Sequence, residues 1–138
     1  MELIESPKSA YLLDASLEIL HFESNEWMSE IAFWKDETGF FQKLLEKIAP
    51  RVKSMESRAE LEHLQNQIIL FRFELLDQLK DKVSLHEKYL SNILDAKEED
   101  SDQFYREKHK SLSDQIAGFA NEIKKLKGEI FTFYEQFF

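Results

Sequence analysis

Cysteine is absent from this sequence, which rules out disulfides and thiolate metal sites and suits a reducing compartment. Glycine and proline are scarce, at three and two residues, too few to supply the turns of a β-protein. No run is apolar for the roughly 18 residues that a membrane span requires. The opening residues, Met1-Glu2-Leu3-Ile4-Glu5, lack the basic region of a signal peptide, so a cytoplasmic location is expected. Bases are outnumbered, 18 to 27, and a net charge of −9 would repel a nucleic-acid backbone. Neither nucleic acid nor membrane is therefore expected as a partner.

What remains is a chain that is 33% charged and 43% hydrophobic, a balance that favours long helices. The first segment carries apolar residues at alternating four- and three-residue steps: Leu13, Leu17, Leu20, Ser24, Trp27, Ile31, Trp34, Thr38, Phe41, Leu45 and Ile48. Such a heptad pattern favours left-handed supercoiling. Ser6 and Pro7 suit a helix start, and Pro50 ends the segment. Gly39 lies in phase, so one continuous helix is expected with a weak point there.

The second segment can begin with a capping box at Ser57 and Glu60, or at Ser54. Its seam runs Leu61, Leu64, Ile68, Phe71, Leu75, then Leu79, Val83, His86, Leu90 and Ile93. Consecutive four-residue steps after Phe71 predict a stutter that locally unwinds the supercoil. After a short acidic loop at residues 97–100, Ser101 or Asp102 would cap a third helix. Its seam is Tyr105, His109, Leu112, Ile116, Phe119, Ile123, Leu126, Ile130, Phe133 and Phe137. The expected fold is all-α: residues 1–138 form a single domain, an elongated antiparallel up-down-up three-helix bundle with coiled-coil-like heptad seams.

In such hairpins facing residues have numbers summing to about 107 for the first turn and about 195 for the second. That register brings His21, His86 and His109 to one level, with Glu18 and Glu87 nearby. The commoner reading is a polar layer that fixes register. A pH-sensitive layer is another reading. The alternative of greater chemical interest is a metal site, binding Zn or Fe through His21, His86, His109 and Glu18 or Glu87. The paired Glu-x-x-His patterns at Glu18–His21 and Glu60–His63 do not make a ferritin-like centre, because Glu60 falls about 40 Å along the axis from Glu18. Nucleophile motifs and phosphate-binding glycine loops are missing, which favours a non-enzymatic protein without a cofactor.

Apolar residues also occur off the seams. Phe33 and Phe40 on the first helix, with Ile69, Phe73 and Leu76 on the second, suggest a second stripe covered by another copy of the chain, or one that joins a broader core if the helices rotate or bend. A homodimer is therefore the expected partner state, with a further protein partner as another possibility. Glu23, Glu30 and Glu37 recur beside the first seam and are expected at a solvated or ion-paired edge facing lysines such as Lys80 and Lys82, with a carboxylate-lined groove as another reading. The aromatic end, Phe131 to Phe138, is expected to tuck against the first loop or a partner. Seam aromatics Trp27 and Trp34 could line a small-molecule site, although such residues are more often core.

Residues His21-Phe22-Glu23, Trp27, Glu30 and Phe33-Trp34-Lys35-Asp36-Glu37, followed by Glu62-His63-Leu64-Gln65-Asn66-Gln67 and His86-Glu87, carry a resemblance covering about half the chain. The sequence resembles a group of small bacterial all-helical proteins with no assigned activity. That resemblance implies a helical cytoplasmic protein and draws attention to Glu62, His63 and Asn66, without implying an activity.

Overall fold

The first described helix is capped by Ser16. Its Oγ accepts from the Ile19 N–H (3.3 Å) and its carbonyl from the Leu20 N–H (3.2 Å), satisfying donors that a helix start leaves open. The computed structural model describes residues 16–96 and 99–138; the proposed start at Ser6 and Pro7, and the seam residue Leu13, lie outside them. Helix α1 spans Leu17–Ile48, α2 Met55–Leu70, α3 Leu76–Ala96 and α4 Glu99–Glu135. A π-helical turn, Phe71–Leu75, joins α2 to α3 without a break. The chain is all-α, with three helical segments and no strand among the described residues.

Local chemistry explains the ends. A single turn of 3-10 helix at Ala49–Arg51, containing Pro50, follows α1. Ser54, not Ser57, caps α2: its Oγ accepts from the Ser57 N–H (3.0 Å). Helix α4 begins at Glu99, so positions 101 and 102 lie inside its first turn and Asp102 pairs with Arg106 (2.8 Å). Gly39 does not interrupt α1.

Two compact units divide the chain. One takes the described part of Met1–Glu30 with Leu79–Gly118; in it Leu20, Leu90, Ile93 and Tyr105 form an apolar cluster that Leu17 and Tyr89 pack against. The other takes Ile31–Gln78 with Phe119–Phe138. Its core includes Trp34 and Phe71, whose rings both contact Phe119 at centroid distances of 5.0 and 5.4 Å. The aromatic end does tuck against the first loop. Arg51 donates to the Phe137 carbonyl (3.0 Å) and its guanidinium lies 4.2 Å from the Phe138 ring centroid.

The second segment departs from the expected stutter. Its buried residues are Leu61, Leu64, Ile68 and Phe71, then Leu76, Leu79, Val83, His86, Leu90 and Ile93. Leu76 is fully buried and Leu75 is half-buried, so the step after Phe71 is five residues. A π turn is the backbone answer to one extra residue, and the Leu76 N–H donates to the Phe71 carbonyl five positions back. The wider turn leaves the Arg72 carbonyl accessible, and Lys35 Nζ of α1 donates to it (2.6 Å) while also pairing with Asp77 (2.6 Å). Arg72 in turn donates to Gln42 Oε1 (2.8 Å), and its guanidinium passes over Gly39, where a Cβ would sit 3.0 Å from the nearest nitrogen.

Deleting Glu74, an exposed residue of the π turn, should restore a four-residue step and leave the downstream buried positions in phase. The variant should fold with stability changed by less than about 2 kcal/mol, mainly from the lost lysine–carbonyl bond. Deleting Lys80 should instead rotate Val83 to Ile93 out of the core and abolish cooperative unfolding. Urea denaturation followed by far-UV circular dichroism separates the two outcomes.

Candidate functional site

The most unusual chemistry lies in the unit built from residues up to Glu30 and from Leu79 to Gly118. Helix periodicity turns His86 of α3 and His109 of α4 inward, and both are buried. Their rings meet: His86 Nε2 and His109 Nδ1 are 2.9 Å apart. The other nitrogen of His109 reaches Glu23 Oε1 on α1 at 3.1 Å. Aromatic rings close the layer on either side. Tyr105 stacks on His86 with centroids 4.2 Å apart and planes 2° from parallel, and Trp27 stacks on His109 at 4.4 Å.

Proton positions follow from the partners. With Glu23 ionised, His109 donates from Nε2 to the carboxylate and accepts at Nδ1 from the Nε2–H of neutral His86. Of the four ring nitrogens only His86 Nδ1, carrying a lone pair, then lacks a partner. A second proton on His109 would reverse the central bond and leave a buried N–H at His86 Nδ1 with nothing to accept it, the costlier arrangement. Burial first, then repulsion from a second proton shared with His109 and from the Lys108 ammonium, hold the His86 pKa down to about 4. Tyr105 is pushed above the ordinary phenol range, chiefly by burial and next by the Glu87 carboxylate. The Ser24 and Tyr105 hydroxyls are buried without a well-formed hydrogen bond.

The expected trio of histidines does not converge. His86 and His109 come together as expected, but His21 has a side chain 53% exposed and pairs through Nδ1 with Glu87 Oε2 (2.5 Å). Its Nε2 accepts from the Asn25 amide (3.4 Å). Glu18 is exposed and lies beside His21 and Glu87 on a shallow surface pocket. Among the described residues no group of three or more His, Asp or Glu side chains is arranged to hold a metal ion. The carboxylate that the layer does use is Glu23, which the sequence pattern assigned to an edge facing Lys80 and Lys82. Glu23 reaches His109, and Glu37 pairs with Lys127 of α4 (3.2 Å), so both point toward α4 instead. The signal available in the sequence was the neighbouring Ser24, a polar residue at a core position next to an acid.

A relay of carboxylate, imidazole and imidazole can store or pass a proton. Its two imidazoles are buried, however, and Glu23 is only partly exposed. Its geometry suits a register-fixing polar layer whose stability depends on pH.

The sign of that dependence is set by the depressed His86 pKa. Unfolded His86 takes up a proton near pH 6.5 and folded His86 only near pH 4. Stability from this residue is complete above pH 6.5 and declines as pH falls toward 4, by on the order of 2 to 3 kcal/mol. His86→Gln should flatten that limb between pH 6.5 and 4, as read from urea midpoints. No family model, curated protein or solved structure matches the chain.

Proposed function

We propose that the chain is a non-enzymatic helical interaction protein of the cytoplasm that self-associates as a homodimer through the unit of Ile31–Gln78 and Phe119–Phe138. No cofactor enters this reading. The fold behind it is an antiparallel up-down-up bundle with heptad seams. Pairings that descend on α4 as they rise on α3 support that topology: Lys82 with Gln115, His86 with His109, Tyr89 with Phe104.

The observation that carries self-association is an aromatic flank. Phe33 and Phe40 are 61% and 58% exposed on α1, and Phe131 is 50% exposed on α4, in contact with Phe41. Phe33, Glu37 and Phe40 form one stripe at helical spacing, and Glu37 meets Lys127 of α4. Three exposed phenylalanines thus lie on the two helices that this acid–base pair joins, on a chain of net charge −9. Such a patch is self-complementary across a two-fold axis, where each acid can meet the other copy's base.

Ile69 and Phe73 belong elsewhere. Helix α1 faces Arg72 through Lys35, Gly39 and Gln42, the stripe on the other side of the helix from Phe33 and Phe40. The Phe73 ring there is already approached by two cations, Lys35 at 5.2 Å and Arg72 at 4.9 Å from its centroid. Leu76, expected on the same stripe, is core and unavailable to a partner.

Sedimentation velocity at micromolar concentration should show a dimer. Phe33→Glu with Phe40→Glu should shift it to monomer, whereas Phe73→Glu should leave the dimer in place. A wild-type chain that stays monomeric into the hundreds of micromolar would overturn the proposal.

A further inference from the structure

On the first unit, α3 and α4 enclose a surface trough of about 350 Å³, inside the size range of small-molecule sites. A side-chain contact between the two helices crosses it at each end. Tyr89 and Phe104 meet edge-to-face at 5.5 Å at one end, and Lys82 Nζ donates to Gln115 Oε1 (2.9 Å) at the other. Seven residues of α3 separate those ends, about 10 Å by the helical rise. A partner helix, itself about 10 Å or more across, needs a groove open at both ends, so the shape favours a small molecule.

The walls are sorted by chemistry. Leu85 and Phe104, 65% and 50% exposed, offer apolar surface to solvent, and Leu112 contributes to the floor. At the far end Gln115 donates its amide to the Ser111 hydroxyl oxygen (3.3 Å), which leaves the Ser111 proton free to point to a ligand. Lys82 uses one of its three donors on Gln115, and Lys108 stands over the Phe104 ring at 5.7 Å. Among the described residues the lining holds two lysines and no carboxylate, although acids outnumber bases 27 to 18 in the chain.

We propose that this trough binds a small apolar monocarboxylate, with its hydrocarbon body over Leu85, Leu112 and Phe104 and its carboxylate held by Lys82 and Ser111, with Lys108 alongside. Apolar burial supplies most of the affinity, and the two ammonium groups select the anion. A carboxylate beside Lys108 also offsets one of the charges that opposes protonation of His86, which lines the same trough. The site is independent of self-association, since its residues all lie outside the unit proposed to dimerise.

The test titrates the full chain with octanoate and with 2-naphthoate, each against its neutral amide, by calorimetry and by backbone amide NMR shifts. Saturable binding is expected, with shifts centred on Leu85, Phe104, Ser111 and Gln115 and with the acids at least several-fold tighter than the amides. Lys82→Gln should weaken the acids about three- to five-fold, as loss of one exposed ion pair allows, and leave the amides unchanged. Ser111→Trp, at an exposed helix position, should fill the trough and abolish binding with the circular dichroism spectrum intact. Bound acid should also raise the His86 pKa, read from its ring nitrogen shifts. Equal affinity for acid and amide, shifts centred elsewhere, or binding retained in Ser111→Trp would overturn the proposal.

Discussion

The constraint on which the second helical segment depends is a phase. Buried residues must recur at three- and four-residue steps to stay on one side of a helix, and a single extra residue turns everything beyond it by about 100°. Without correction at Phe71, the inward positions downstream would be Gln78, Lys82, Leu85 and Tyr89. The π turn at Phe71–Leu75 supplies the correction, so that Leu79, Val83, His86 and Leu90 are buried instead. One local backbone feature therefore decides both that His86 belongs to a buried polar layer and that Lys82 and Leu85 face the trough outside it. Lys35 stabilises the turn by bonding to the carbonyl that the wider geometry leaves open.

The polar layer trades stability for uniqueness. Two buried imidazoles and a carboxylate make a weaker core than leucines of equal volume, but their hydrogen bonds have direction and fixed partners. A slip of one turn along either helix would strand His86 or His109 without its acceptor. The flanking Tyr105 and Trp27 rings add shape to that chemical specificity, each covering one imidazole face. A neutral His86 and a Glu23 carboxylate that accepts from His109 are complementary parts of one arrangement.

The all-α class and the inward face of each helix were legible from periodicity. Every seam position of the first helix from Leu20 to Ile48 is buried, including polar Ser24 and Thr38, and the third seam is buried from Tyr105 to Phe133. Thr38 is accommodated because its hydroxyl donates to the Trp34 carbonyl (2.8 Å). The second seam failed at one point, where adjacent leucines at 75 and 76 satisfy two patterns equally and only packing chooses between them. The histidine pair was legible because register arithmetic needs only numbers. Its carboxylate was not, because Glu23 is a long side chain that reaches inward from beside the seam, and pattern alone assigns such residues to solvent. Leu76 was misplaced on the off-seam stripe for a related reason: level along a helix was readable, but rotation about its axis depends on the π turn and on contacts such as Lys35 with Arg72.

Gly39 and Arg72 form a matched pair of opposite sizes. The glycine gives up helix propensity in the middle of α1, and the space so left is occupied by a guanidinium from the π turn. Neither residue is interchangeable alone: a methyl group at 39 crowds the arginine, and a short side chain at 72 leaves the glycine with its entropic cost and nothing in return. Substitutions at the two positions should therefore be strongly non-additive, with Gly39→Ala tolerated best beside a smaller residue at 72. In a set of divergent sequences of this fold, these two columns are where covariation between the first and second helical segments should be looked for first.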